Sequence, residues 1–166
     1  MAPINKELTL DWDYPSELPV IKTDSGKLKQ ILQNLIDNAL KFTGKGSVTV
    51  SARITEGSKQ KAEGSSEILP TVDRLLPTGG KWVEFKVVDT GVGIPQDYMP
   101  FIFDKFRQAD SSETRLYGGV GMGLYIVKKF AELLGGTIEV ESEPGLGSIF
   151  IVTLPLSVVP DHSQAN

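Results

Sequence analysis

Asn34 and Asn38 stand four residues apart in the stretch "NLIDNALKFT" (residues 34–43), and Lys41 follows three residues later. At about 100° per residue these side chains fall within a narrow arc of a helix. Beside them Ile31, Leu32, Leu35, Ile36, Ala39 and Leu40 fill one broad apolar face. Asparagine is a mediocre helix former because its amide competes for backbone hydrogen bonds. Two readings fit the arc. One is a solvated helix face. The other is chemical: an amide carbonyl is a neutral, hard oxygen suited to Mg2+ that keeps its waters and bridges phosphates. Lysine would add a point charge for the same phosphates.

Two glycine-rich stretches pose the same choice. In "DTGVGIP" (residues 89–95), Asp89 ends a strand-like run and could accept a hydrogen bond from an adenine amino group. Gly91 and Gly93 would let the backbone approach a base closely; the plainer reading is a turn. "GGVGMGL" (residues 118–124) opens a helix near Gly123. Backbone N–H groups there form a ready anion site, and the plainer reading is a flexible loop with a cap. Neither stretch is G-x-G-x-x-G, because Gln96 and Leu124 occupy the place of the third glycine. "GKGS" lacks the upstream glycine of a P-loop, and the kinase triplets "HRD" and "DFG" are absent.

The elements that must position these residues can be traced along the chain. "ELTLDWD" alternates as a strand, and a helix follows over residues 25–42 with Asp24 or Ser25 as N-cap. "SVTVSARI" and "KWVEFKVVD" are further strands, separated by residues 56–80, whose Gly, Ser, Lys, Glu and Pro suggest a long mobile insertion. A short helical piece is expected over residues 97–103. "LYIVKKFAELL" is an amphipathic helix that Gly135 and Gly136 should end. "TIEVES", the turn "EPGLG" and "SIFIVTLPL" form a terminal hairpin. The expected architecture is a two-layer α/β sandwich, with one mixed, mostly antiparallel sheet covered on one face by about three helices.

Composition narrows the chemistry. The 166 residues suit one domain with its own core. A net charge of -4 with scattered basic residues argues against a general nucleic-acid binder. The lack of cysteine excludes disulfides and thiol chemistry, and a lone His162 in a polar tail argues against histidine triads and histidine-rich metal sites. No apolar run approaches membrane-spanning length, and "MAPINKELTL" lacks a signal-peptide core, so the domain is expected to be soluble and cytoplasmic, without direct membrane contact.

Taken in order, these stretches resemble the catalytic and ATP-binding domain of two-component sensor histidine kinases, a branch of the GHKL superfamily with the Bergerat fold. "NLIDNALKFT" is similar to the N box, "DTGVGIP" to the first glycine box and "FIFDKF" to the F box. "GGVGMGLYIVKK" is similar to the second glycine box and "SEPGLGSIF" to the terminal glycine motif. The likeness runs from "LPVIKTDSGKLKQIL" to "SIFIVTLPL", nearly the whole chain.

The resemblance implies ATP and Mg2+ as cofactors. It makes Asn38 the metal ligand, with Asn34 and Lys41 at the phosphates and Phe42 flanking the adenine. Asp89 would accept from the adenine amino group; Gly91, Gly93 and Ile94 would shape the base pocket; Ser148 would sit near its water network. Phe103 and Phe106 would anchor a mobile lid over residues 107–122. From that lid Arg107 and Arg115 would reach the phosphates, and Gly119, Val120, Gly121, Met122, Gly123 and Leu124 would close over them. The domain would span residues 1–158, with a polar tail over 159–166.

Hydrolytic branches of the superfamily carry a glutamate where Asn34 stands. An amide cannot usefully take a proton from water, so Asn34 favours phosphoryl transfer to a histidine. The resemblance places that histidine on a separate dimerisation domain, with a response regulator receiver domain further along. The alternatives are a GHKL serine kinase of the anti-sigma type and a non-catalytic nucleotide-binding regulatory module.

Overall fold

Asp24 starts the first helix by accepting the Lys27 N–H at 3.0 Å, a side-chain cap that satisfies a donor the helix itself cannot. In this computed structural model, which describes residues 7–18, 20–56, 80–105 and 123–156, that helix is α1 (Ser25–Phe42), after strand β1 (Leu8–Asp13). Then come β2 (Gly46–Glu56), β3 (Lys81–Asp89), a 3-10 helix (Gln96–Phe101), α2 (Gly123–Leu133), β4 (Thr137–Glu143) and β5 (Gly147–Pro155). The second helix closes where Gly135 and Gly136 donate to the carbonyls of Glu132 and Ala131 at 3.0 and 2.8 Å.

The strands form one sheet in the order β1-β2-β3-β5-β4. β1 runs parallel to β2, with α1 as the crossover that parallel neighbours require. Every other pair is antiparallel. Residues opposite each other in a ladder share a face, so Val48 and Val50, Val83, Phe85 and Val87, and Phe150, Val152 and Leu154 all point to one side. There they bury against Ile31, Leu35 and Ala39 of α1 and Val127 and Ala131 of α2. Both helices lie on that face, as the alternation of the strands requires.

The short helical piece differs from expectation: it is a 3-10 helix over Gln96–Phe101, with Pro100 inside it. Proline has no N–H to donate, so an α-ladder does not propagate there. With it, the described residues hold three helices, two of them α. The strand "SVTVSARI" runs on to Glu56 because β3 pairs with it as far as Lys81. Trp82 faces away from the helices, beside Thr55 and Pro155, and is nonetheless buried. Of the expected insertion at 56–80 only the two end residues are described, and the lid at 107–122 and the tail at 159–166 lie outside the described residues.

Candidate functional site

β3 ends at Asp89, directly opposite Ser148 near the start of β5. Both point to the helix side, and each is only 6% exposed. Gly91 donates its N–H to Asp89 Oδ1 at 2.9 Å, and the Ser148 N–H also bonds the carboxylate. Burial raises the Asp89 pKa above the ordinary aspartate value, while those two N–H groups and the Thr43 hydroxyl pull it down. Thr43, the fully buried residue that ends α1, lies near enough to favour the carboxylate. Its Oγ1 nevertheless meets hydrogen-bond geometry with no partner among the described residues.

The first glycine stretch wraps this carboxylate. Val92 donates to the Phe42 carbonyl at 3.3 Å, and Gly145 donates to the Val92 carbonyl at 2.8 Å. A Cβ on Gly91 would collide with the Phe42 carbonyl. At Gly93, φ is 71° and a Cβ would overlap the Glu143 carbonyl. These glycines therefore have a reason within the protein, since the main chain of α1 and of β4 occupies the space a side chain would need. Ile94 packs against the core, and its N–H donates to Ser142 Oγ at 2.8 Å.

Along α1, Phe42 lies at the Asp89 end and Asn34 two turns away, about 12 Å by the helical rise. Asn38 stands between them, half-buried like Asn34. The Lys41 ammonium sits 5.7 Å from the Phe42 ring centre. Asn34 lies next to the first residue of α2, where a Cβ on Gly123 would be 3.9 Å from its amide carbon. Its Nδ2 is buried and has no hydrogen-bond partner among the described residues. A buried amide close to the first described residue of a helix has the makings of an anion site, because backbone N–H groups at a helix N-terminus favour an anion.

Phe103 and Leu124 pack against the core, and Lys128 lies 5.9 Å over the Phe103 ring. Phe106, Arg107, Arg115, Gly119, Val120, Gly121 and Met122 are outside the described residues. Two contributors escape a reading of the motifs. Thr43 is a helix-ending residue in sequence, and only packing brings it to Asp89. Ser142 carries a visible signal: it occupies an inward position of β4, after Ile138 and Val140, where alternation calls for an apolar side chain.

The sequence matches the family described as histidine kinase-, DNA gyrase B- and HSP90-like ATPase over residues 23–158. The chain belongs to this ATPase family. Among its relatives, Histidine kinase 5 of Arabidopsis thaliana is 36% identical over 160 residues, covering 95% of this chain and 17% of that protein. The circadian input-output histidine kinase CikA of Synechococcus elongatus is 39% identical over 149 residues, covering 90% and 17%. The chain thus spans about a sixth of the length of these relatives.

Full-length ShkA, solved in complex with AMPPNP, matches with a TM-score of 0.67 at 32% identity, over 93% of this chain and 27% of that one. The catalytic domain of histidine kinase ThkA shares the fold, with a TM-score of 0.62 at 23% identity over 91% and 82%. The named relatives are histidine kinases, and they favour neither the anti-sigma nor the non-catalytic alternative. No helix among the described residues is long and apolar enough to cross a membrane.

Proposed function

We propose that this domain binds ATP with Mg2+ and donates the γ-phosphoryl group to a histidine on a separate dimerisation domain, for onward transfer to a response regulator receiver domain. The observation that carries the reading is the buried Asn34 Nδ2, without a partner among the described residues, on an amide close to the first described residue of α2. A donor left unmade in the interior costs about 1–3 kcal/mol, and a phosphate oxygen would remove that cost. At the other end of α1, Asp89 supplies a buried acceptor for the adenine amino group, with Phe42 and Ile94 beside the base.

Asn38, between the two ends, is the residue that would hold Mg2+. The described residues contain no group of three or more His, Cys, Asp or Glu placed to bind a metal. A neutral amide oxygen suits an ion that shares its ligation with phosphates and water. When bound, the ion neutralises charge on the phosphates. Phosphoryl transfer needs mainly positioning and charge neutralisation, which Asn34, Lys41, the α2 N-terminus and the lid residues Arg107 and Arg115 would provide. The acceptor imidazole nitrogen attacks the γ-phosphorus, the bond to the bridging oxygen breaks, and ADP leaves. The working location is the cytoplasm, where ATP is available, without nucleic acid or direct membrane contact.

The experiment is incubation with γ-labelled ATP, alone and with a histidine-bearing helical dimerisation domain of a matching kinase. Acid-labile label on the added domain, lost in Asn38→Ala, is expected. Label on His162 of the chain alone, or brisk hydrolysis without an acceptor, would overturn the assignment.

A further inference from the structure

Ser142 Oγ makes three short polar contacts. It accepts the Ile94 N–H at 2.8 Å, donates to the Gly147 carbonyl at 2.9 Å, and lies 2.8 Å from Ser148 Oγ. A serine hydroxyl has one proton and two lone pairs. With one lone pair on Ile94 and the proton on Gly147, only a lone pair remains for Ser148. For all three contacts to be hydrogen bonds at once, Ser148 must be the donor in the pair. Its single proton points at Ser142, so in every other direction its oxygen offers lone pairs alone. Beside it Asp89 is an acceptor too, already holding the N–H groups of Gly91 and Ser148.

We infer that Ser142 is a specificity-determining positioning residue: by fixing the hydroxyl proton of Ser148, it keeps Ser148 an acceptor beside Asp89 and so reinforces the choice of an amino group over a carbonyl on the base. This rests on the nucleotide reading, in which Asp89 and Ser148 face the base. Adenine presents an exocyclic amino group there, and guanine a carbonyl oxygen. A hydroxyl rotates freely unless its network holds it. Without Ser142, Ser148 can turn its proton onto a carbonyl and accommodate guanine. The device reaches across the fold, since Ser142 of β4 also ties down the loop after Asp89 through Ile94, 48 positions away in sequence.

The test is the ratio of GDP to ADP dissociation constants, measured by calorimetry on the native chain, Ser142→Ala, Ser148→Ala and the double variant. The native ratio should favour ADP by roughly fivefold or more, the effect of one unpaired buried acceptor. In Ser142→Ala, where Asp89 stays an acceptor but Ser148 is free to donate, the ratio should fall by about twofold or more. Ser148→Ala should keep its preference, because no proton is available to turn. Adding Ser142→Ala to Ser148→Ala should leave the ratio unmoved, as expected of a residue acting through its neighbour. A purely structural role would weaken ADP and GDP together and leave the Ser142→Ala ratio native, which overturns the inference. If Ser142→Ala does not fold, Ser142→Val supplies the same comparison, since it removes the hydroxyl and a β-branched residue suits a strand; an unchanged ratio there overturns it equally. Equal affinities in the native chain would instead sink the base-pocket reading, and the role of Ser142 with it.

Discussion

Asp89 is an ionisable group held where its charge is disfavoured. Burial raises its pKa, and the N–H groups of Gly91 and Ser148 offset this only in part. For an acid, a raised folded pKa means that the folded state binds more protons than the unfolded chain between the two values. Stability therefore falls as pH rises through that window, from the ordinary aspartate value of 3.8 upward. The loss is complete above the raised value and absent below the ordinary one. Asp89→Asn should abolish this contribution and weaken ADP binding while the fold persists. Urea unfolding of both proteins from about pH 4 to 7 reads the difference. Parallel pH profiles would mean that Asp89 is not its source.

At the scale of elements, the β4–β5 turn is a clamp on the strand end that carries Asp89. Gly147 has φ 111°, and a Cβ there would overlap the Asp89 carbonyl oxygen. Gly145, two residues earlier in the same turn, has φ 81° and open space around it. Both conformations favour glycine, but only one also forbids volume. Gly145→Ala should thus cost about 1 kcal/mol, the usual cost of a side chain in the left-handed region. Gly147→Ala should cost more, about 2 kcal/mol or above, because the hairpin must also move away from β3. It should weaken ADP binding as well. Thermal unfolding of the two variants side by side checks the contrast, and equal losses would refute the clamp.

At the scale of the whole molecule, the site we propose runs along α1, with its base end at Asp89 and its phosphate end at Asn34. The metal proposed between them lacks a carboxylate cage among the described residues. Mg2+ alone should therefore leave the melting temperature unchanged at millimolar concentration, whereas Mg2+ with ADP should raise it beyond ADP alone, as ligand linkage requires. Stabilisation by Mg2+ without nucleotide would point to a protein-only metal site and count against Asn38 as a shared ligand.

What the sequence determined by itself was local. The α1 boundaries follow from the Asp24 cap and the apolar periodicity, β3 from its alternation, and the end of α2 from Gly135 and Gly136. The asparagines, Asp89 and the glycine stretches were legible because their residue types and spacing are unusual for the elements that hold them. Adjacency was left to the tertiary structure: β1 parallel to β2 at the sheet edge, and β3 beside β5 although α2 and β4 intervene in the chain. The same pairing brings Ser142 and Ser148 to Asp89, and the packing of α1 adds Thr43. The glycines of "DTGVGIP" carried a meaning that spacing could not disclose, since the Phe42 and Glu143 carbonyls they accommodate lie far away in sequence. Caps and alternation are settled within a few residues of chain, where backbone geometry alone sets the hydrogen bonds. Strand neighbours and buried polar contacts depend on which distant surfaces exclude water from one another, and no stretch of sequence specifies that without its partner.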